Sequence, residues 1–295
     1  MMTYTKISVI YNPNSTGSSK ELAQQFKKEL LKNLPKQSIE LIATDHAGHG
    51  EELAYEIAKA QKKPLIISAS GDGGYNEVVN GALKAQKEGA QPATGLLPAG
   101  NANDHYHNVH DKSIVDMIVD GDEKQIDVLR IQGKSEGEKL SRYAHSYIGL
   151  GVTPHVAKEL NKTKLNVFNQ IGIVAKALLS SGAVKLVIDG EAHHYDSLIF
   201  SNIDKMSKVL KISQPSRISD GEFEVTIFHR RNKLRLIAVL LQASVTGVKE
   251  DTKAKRFNFT TTKKTLVQLD GEIISLDAQS ETKITIDKQL LRCVV

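Results

Sequence analysis

Cysteine and tryptophan are scarce in this sequence of 295 residues, which contains one cysteine, Cys293, and no tryptophan. A single cysteine excludes an intrachain disulfide and a thiolate metal cluster, so we expect a protein of the reducing cytoplasm. Aromatic residues amount to only 5%, which leaves no evident stacking platform for single-stranded nucleic acid. The most apolar stretch after the first strand pattern, residues 236–241, is far shorter than the roughly 20 residues that span a bilayer. Secretion, membrane spanning and nucleic-acid binding are therefore not expected.

Charge of one sign is concentrated in one part of the chain. The formal net charge is +5, yet residues 204–264 contain 14 Lys and Arg against 6 Asp and Glu, so the remainder is slightly acidic. A basic face of this kind is attracted to an anionic membrane surface by about 1 kcal/mol per nearby Lys or Arg. A solvated sheet face that carries surplus lysines is the alternative interpretation.

The first half of the chain alternates strand patterns with helical patterns. Polar turn residues separate these short segments, as in a parallel sheet covered by helices. The strand patterns are residues 7–11, 39–43, 64–68 and 95–97, and the helical patterns are residues 18–34, 50–59 and 77–85. The sequence therefore predicts an α/β domain over residues 1–126.

The second half has mostly strand-like segments. A helical pattern over residues 152–179 interrupts them, and the last residues, about 288–295, are expected to return to the first domain. The strand patterns are residues 127–132, 143–149, 184–188, 197–201, 222–228, 265–269 and 283–286. We therefore predict a β-rich, sandwich-like second domain over residues 127–287, with a cleft between the two domains.

A glycine-rich segment, residues 70–74, connects a predicted buried strand to a predicted helix. Glycines let backbone N–H groups approach a phosphate closely, and a helix N-terminus adds a favourable dipole. The segment is not a dinucleotide fingerprint, because residue 76 is Asn, and the chain contains no GxxxxGK[ST] motif. A purely structural turn is the alternative.

Two further polar loops follow predicted strands in the same domain, at residues 12–17 and 98–104. The carboxyl ends of parallel strands meet at one edge of a sheet, and open α/β sheets bind ligands there. Three such loops together favour a phosphate-containing ligand more strongly than one glycine loop does.

In their order along the chain, these motifs resemble the bacterial branch of the diacylglycerol kinase catalytic family, which shares its architecture with NAD kinases and sphingosine kinases. The resemblance runs nearly from end to end. The matching residues are Asn12-Pro13, Thr44 with Ala47, Gly71-Asp72-Gly73, residues 76–81, Pro98-Ala99-Gly100 with Asn103-Asp104, Asp220-Gly221, and Asp270-Gly271-Glu272.

The resemblance implies ATP-dependent phosphorylation of a lipid hydroxyl between the two domains, with ATP and Mg²⁺ as cofactors. Asp270 and Glu272 correspond to the catalytic carboxylates, and which of them takes the proton stays open. Mg²⁺ would be held by Asp220 and by main-chain carbonyls around Arg217 and Glu222, with Asp72 and Asp127 as further acidic members. The implied nucleotide-binding residues are Asn12, Thr44, Ser70, Gly71, Asp72, Gly73, Gly74, Tyr75, Asn76, Asn101, Asn103 and Asp104.

The sequence departs from the family pattern at residues near the implied nucleotide. Ser70 replaces the first Gly of the glycine loop, Gly74 replaces the Thr that follows it, and Asn101 replaces a second Thr. Asn101 can still hydrogen-bond, whereas Gly74 offers no side chain. Residues 105–107 are His-Tyr-His where the family has Phe-Ala-Arg.

Other functions and partners are also compatible with these motifs. A small-molecule kinase of the NAD kinase type is one alternative, and a non-catalytic lipid-binding or nucleotide-binding relative is another. For the lipid kinase we expect a lipid substrate and a transient contact with an anionic membrane surface at the inner face, and a homodimer through the β-rich half stays open. Residues 167–179 and the basic β-region are the predicted lipid groove. The sequence does not identify the acceptor lipid or the oligomeric state.

Overall fold

The computed structural model describes residues 4–15, 18–154, 182–206, 210–211, 218–229 and 251–295. The chain divides into two compact units: Met1–Asp127 with Gln289–Val295 form the first, and Val128–Lys288 form the second. Arg217, residues 155–179 of the predicted helix, and much of the basic segment lie outside the described residues. In the described part of the chain, no helix is both long and apolar enough to cross a membrane.

The first unit alternates strands with helices, as predicted. Its strands are β1 (Lys6–Tyr11), β2 (Ile39–Ala43), β3 (Pro64–Ser70) and β4 (Ala93–Pro98). Its helices are α1 (Ser19–Asn33), α2 (His49–Ala60), α3 (Asp72–Lys87), α4 (Asp104–Val109) and α5 (Ile114–Asp120).

Strands β1 to β4 form a parallel sheet in the order β2-β1-β3-β4. Ile7 pairs with Ile39 on one side and with Leu65 on the other. Most residues of β1 and β3 are buried, because helices cover both faces of a sheet of this type. The predicted parallel α/β sheet is confirmed.

Helix α1 shows how the helices attach to this sheet. Ala23, Phe26 and Leu30 follow one another at intervals of three and four residues, so they share one face, and all three are buried. They pack in the same apolar cluster as Val9 and Ile67. The outward face of the helix carries the charged residues.

The second unit consists mainly of antiparallel strands. Its strands, with the two that begin or end in the first unit, are β5 (Glu123–Ser135), β6 (Glu138–Ala144), β7 (Tyr147–Gly151), β8 (Val184–Ile188), β9 (Glu191–Ser201), β10 (Lys205–Met206), β11 (Leu210–Lys211), β12 (Phe223–His229), β13 (Asp251–Ala254), β14 (Arg256–Thr261), β15 (Thr265–Leu269), β16 (Glu272–Leu276) and β17 (Glu281–Val294).

The central strands of the second unit follow the order β16-β15-β7-β9-β8-β14-β17, and β12 also pairs with β9. Their inward residues form one apolar cluster that includes Leu198, Phe200, Phe223 and Phe259. The β-rich second half predicted from the sequence is therefore confirmed.

Two predicted segments differ from the structure near the candidate site. Helix α3 begins at Asp72 rather than at residue 77, so Gly73 and Gly74 belong to its first turn instead of to a loop. The strand predicted over residues 143–149 is two strands, β6 and β7, separated by His145 and Ser146. The second difference arises from hydrogen bonds to Asp270, a residue distant in sequence, which are described next.

Candidate functional site

Four loops of the first unit leave the carboxyl ends of β1, β2, β3 and β4, and backbone hydrogen bonds connect them in pairs. The Thr44 N–H donates to the Tyr11 carbonyl at 2.9 Å, which joins the loops after β1 and β2. The Ala99 N–H donates to the Ser70 carbonyl at 2.9 Å, which joins the loops after β3 and β4. The predicted nucleotide-binding residues of this unit are therefore carried by one edge of its sheet.

Asn12 shapes the loop after β1. Its side-chain Oδ1 accepts the Asn14 N–H at 2.9 Å, and its carbonyl accepts the Ser19 hydroxyl at 2.5 Å. Ser15 Oγ accepts the Ser19 N–H at 3.3 Å, at the start of α1. The Asn12 side chain thus holds its own turn, which is a common role for Asn.

Gly71 and Gly100 bring the loops after β3 and β4 into direct backbone contact. A Cβ atom at residue 100 would lie 2.4 Å from the Gly71 Cα, and a Cβ atom at residue 71 would lie 3.2 Å from the Gly100 Cα. Any side chain at residue 100 would push the two loops apart. Glycine is therefore required there by space, and Gly71 as the N-cap residue begins helix α3 directly at this contact.

Asp72 fixes the same two loops through its carboxylate. Oδ2 accepts the Asp104 N–H at 2.9 Å and Oδ1 accepts the His105 N–H at 3.0 Å, at the N-terminus of α4. The side chain is buried, with 7% of the residue exposed. Asp72, assigned from sequence to both nucleotide and metal binding, therefore serves here as the N-terminal partner of a second helix.

Asn103 closes the loop after β4. Its Oδ1 accepts the Gly100 N–H and its Nδ2 donates to the Gly100 carbonyl, both at 2.9 Å. Its backbone is left-handed, with φ of 52°, which Asn tolerates better than most residues. Neighbouring Asn101 is half-buried, and Asp104 is buried as the first residue of α4.

The side chains of Tyr75 and Asn76 point into the packed part of the first unit. The Tyr75 hydroxyl lies 3.0 Å from Thr94 Oγ1, and only 1% of Tyr75 is exposed. Asn76 accepts two hydrogen bonds from Asn80 Nδ2, one turn further along α3. These two predicted nucleotide-binding residues therefore support α3 from within.

Glu77 is a positioning residue that the site prediction omitted. Its carboxylate accepts the Gly48 N–H at 2.9 Å and the Gly50 N–H at 3.0 Å, and so holds the N-terminus of α2. This contact fixes the loop that carries half-buried Thr44. The sequence indicated Glu77 only through its place in the matched motif. Its hydrogen-bond partners lie 27 and 29 residues earlier, so the local pattern did not reveal them.

Asp270 is the most enclosed acidic residue of the second unit's candidate site. Its Oδ2 accepts the His145 N–H at 2.9 Å, and its Oδ1 accepts the N–H groups of Ser146 and Tyr147 at 2.9 and 3.0 Å. His145 Nε2 lies 3.2 Å from Oδ2. The residue has a φ of 54° and is 1% exposed, so its carboxylate is held in place by the segment between β6 and β7.

Glu272 lies two residues further on and has a different environment. It is the first residue of β16, pairs in register with Leu269 and is half-buried. The turn before it is fixed by the Asp270 N–H, which donates to the Tyr147 carbonyl at 3.0 Å, and by Gln268 Nε2, which donates to the Asp270 carbonyl at 2.9 Å. Glu272 thus extends from a rigid turn.

The predicted metal residues of the second unit are surrounded by lysines. Asp220 Oδ1 accepts the Glu222 N–H at 3.1 Å, and Oδ2 accepts a hydrogen bond from Lys253 Nζ at 2.7 Å. Lys255 Nζ lies 3.6 Å from Glu222 Oε1. A Cβ atom at Gly221 would meet the Lys288 side chain. In this structure the Asp220 carboxylate is thus paired with an ammonium group.

The other predicted metal residues belong to the first unit. Asp127 is fully buried, and its Oδ1 accepts the Gln289 N–H at 2.7 Å, which joins β5 to β17. Asp72 lies at the helix contact described above. Arg217 lies outside the described residues. The metal assignment of these residues stays a prediction.

Most of the first unit is similar to a known protein family. Residues 6–131 match the family model of the diacylglycerol kinase catalytic domain. This range contains the four connected loops together with Asp72, Glu77 and Asn103.

Individual proteins are similar over a longer part of the chain. A diacylglycerol kinase of Staphylococcus carnosus (strain TM300) is 26% identical over 282 residues, which cover 90% of this chain and 87% of the relative. A diacylglycerol kinase of Bacillus subtilis (strain 168) is 25% identical over 283 residues, with 90% and 88% covered. The crystal structure of a diacylglycerol kinase from Bacillus anthracis str. Sterne covers 100% of this chain and 98% of its own, with a TM-score of 0.72 at 18% identity, and so shares the fold.

Proposed function

We propose that this chain, whose residues 6–131 match the diacylglycerol kinase catalytic domain, is an ATP-dependent lipid kinase. The acceptor is the hydroxyl of diacylglycerol or of a related lipid. The observation that carries the proposal is the backbone contact between Gly71 and Gly100, which gathers two loops at the N-terminus of α3. Side-chain-free backbone at a helix N-terminus is suited to polyphosphate.

The nucleotide phosphates are placed at the first turn of α3. N–H groups in the first turn of a helix lack intrahelical acceptors and carry partial positive charge, which favours anions. Gly73 and Gly74 lie in this turn and are half-buried, so a phosphate can approach their backbone. Asp72 and Glu77 hold the surrounding loops in place.

Glu272 is proposed as the general base and Asp270 as a positioning residue. A general base must offer a lone pair to the substrate hydroxyl. The Asp270 carboxylate is buried, accepts three backbone N–H groups and lies against His145, whereas Glu272 is half-buried at the start of a strand and is therefore more accessible to a substrate hydroxyl. In the reaction the lipid hydroxyl oxygen bonds to the γ-phosphorus of ATP, its proton passes to Glu272, and ADP leaves with the bridging oxygen.

Mg²⁺ enters this proposal as part of the co-substrate ATP–Mg²⁺, where it neutralises phosphate charge. No step is assigned to a separate ion at Asp220, because Lys253 already pairs with that carboxylate. The basic segment of residues 204–264 is proposed to meet an anionic membrane surface at the inner face, and homodimerisation through the second unit is proposed with it. These two assignments rest on the sequence.

The test is transfer of radiolabelled phosphate from ATP to candidate acceptors, with diacylglycerol in mixed micelles compared with NAD. We expect labelling of diacylglycerol or a related lipid, and loss of labelling in Glu272→Gln. Labelling of NAD alone would contradict the lipid kinase in favour of a small-molecule kinase. ATP or lipid binding without transfer to any lipid of a broad panel would identify a non-catalytic binding protein.

A further inference from the structure

The side chain of Ser70 fills the space above Gly74. Ser70 is the last residue of β3, and Gly74 lies in the first turn of α3. A Cβ atom added to Gly74 would lie 2.7 Å from both Cβ and Oγ of Ser70, a separation that real Cβ atoms essentially never show. Residue 74 can therefore carry a side chain only if residue 70 gives up its own.

Space, and not backbone conformation, accounts for this glycine. Gly74 lies within a regular helix and is not among the residues of positive φ. Glycine disfavours a helix relative to residues with side chains, so its presence in α3 needs a cause. The contact with Ser70 supplies that cause. Ser70 in place of Gly and Gly74 in place of Thr, two departures from the family pattern, are thus one coupled exchange.

The exchange keeps a hydroxyl group at the start of α3. Ser70 Oγ lies 2.7 Å from Ser68 Oγ and donates to the Gly71 carbonyl at 2.9 Å. Ser68 is buried and Ser70 is half-buried, so the chain of hydroxyls runs from the interior towards the helix N-terminus. A serine hydroxyl has one donor and two acceptor positions, so Ser70 can accept from Ser68 while its own proton turns to a ligand oxygen.

We propose that Ser70 supplies the phosphate-binding hydroxyl of this site, in place of a side chain at residue 74. The ligand is the polyphosphate of a nucleotide, so this inference rests on the proposed function and adds a specific residue to it. Ser70 is a binding residue in this scheme, and the absence of a side chain at Gly74 leaves room for it.

The steric half of the proposal is tested by thermal unfolding. Gly74→Thr alone forces the new Cβ against Ser70, so its unfolding temperature should fall by several degrees. The double variant Ser70→Gly with Gly74→Thr should recover the wild-type temperature. Lys20→Thr, which introduces the same residue at an exposed position in the first turn of α1, is the control and should change little. If Gly74→Thr unfolds at the wild-type temperature, the coupling is wrong.

The hydroxyl half is tested with Ser70→Ala, which keeps the Cβ atom and is expected to fold; its unfolding temperature checks this. A hydrogen bond to a charged group typically contributes enough to change an affinity by about tenfold or more. We therefore expect the Kd for ATP–Mg²⁺, measured by calorimetry, to rise about tenfold in Ser70→Ala. The double variant should bind ATP–Mg²⁺ with an affinity near that of the wild type. Ser141→Ala, at an exposed serine of β6, is the control.

These measurements separate failure of the inference from failure of the proposed function. An unchanged Kd for ATP–Mg²⁺ in Ser70→Ala, in a protein that phosphorylates lipid, overturns the role of Ser70 and leaves the kinase intact. A wild type that binds no ATP–Mg²⁺ overturns the role of Ser70 together with the proposed function. The unfolding temperatures then still decide whether Ser70 and Gly74 are sterically coupled.

Discussion

Asp270 and His145 contact each other twice: Asp270 Oδ2 accepts the His145 N–H at 2.9 Å and lies 3.2 Å from His145 Nε2. Both side chains are fully buried. Since the N–H groups of Ser146 and Tyr147 also donate to this carboxylate, it anchors the turn from which Glu272 extends. We therefore assign a role in stability to Asp270 and a role in catalysis to Glu272, two acidic residues of one short motif.

Asp270→Asn should therefore lower the stability of the protein, whereas Glu272→Gln should abolish its activity. An amide at residue 270 turns an NH₂ group towards backbone N–H donors, so we expect the free energy of unfolding to fall by about 2–5 kcal/mol. Glu272→Gln keeps the size of the side chain at a half-buried position, so its free energy of unfolding should change less, and it should lose phosphoryl transfer. Urea unfolding and the lipid kinase assay measure the two effects. Equal stability of both variants would argue against the anchoring role.

Asp72→Asn should loosen the junction between α3 and α4. The amide can accept only one of the two N–H groups that Asp72 now accepts, and leaves the other unsatisfied at a cost of about 1–3 kcal/mol. We expect lower stability in urea and weaker ATP binding. Asp116→Asn, in the first turn of α5 on an exposed face, is the matched control. Unchanged ATP affinity in Asp72→Asn would show that this junction does not shape the nucleotide site.

The thermal stability of Lys253→Met should depend on Mg²⁺, whereas that of the wild type should not. The hydrogen bond to Asp220 raises the pKa of Lys253, so the ammonium stays charged beside this carboxylate. Lys253 is 46% exposed, and loss of such a pair costs about 1 kcal/mol at most. Without the Lys253 ammonium group, the Asp220 carboxylate can bind a divalent cation, and this binding stabilises the folded state.

The measurement is the unfolding temperature with and without millimolar Mg²⁺. We expect a rise only in Lys253→Met, and none in Lys59→Met, where the lost partner is the exposed Glu88. A wild type that Mg²⁺ stabilises to the same degree would mean that the cation displaces Lys253.

His110 should make stability fall in mildly acidic solution. Burial lowers the pKa of this imidazole below its usual 6.5, against the opposing effect of the Val294 and Tyr106 carbonyls at 3.0 and 3.2 Å. At pH values between the lowered pKa of His110 in the folded state and its usual pKa of 6.5, the unfolded chain binds more protons than the folded chain. The contribution of neutral His110 to the free energy of unfolding is therefore complete above pH 6.5 and is lost as the pH falls. In urea unfolding at several pH values, His110→Asn should show a weaker loss of stability below pH 6.5 than the wild type. Parallel curves would contradict the assignment.

Sequence patterns predicted the regular elements well and the short or distantly supported ones poorly. Strands β2, β8 and β15 have their predicted bounds, because each is a compact apolar run between polar turns. Helix α4 was missed, since its six residues have no apolar period and its N-terminus is held by Asp72, 32 residues earlier. A local pattern does not contain such a partner.

The same limit applies to the candidate site. The break between β6 and β7 was missed because the N–H groups of His145 and Ser146 donate to Asp270, more than 120 residues later, instead of to a neighbouring strand. The motif residues were found by their order along the chain. The role of Glu77 in holding the start of α2 could not be predicted in this way, because its partners, Gly48 and Gly50, lie in a different part of the sequence.

The final strand has a consequence for the order of events during synthesis. Cys293 pairs with Thr94 of β4, and the Gln86 side chain donates to the Leu290 carbonyl, so the first unit is completed by residues 289–295. Domains generally fold in the order in which the ribosome produces them. Here the sheet of the first unit cannot be completed when its own strands emerge. One flank of that sheet stays uncovered until the whole second unit has been translated. Chaperone capture of nascent chains should therefore persist until residues 289–295 have been translated.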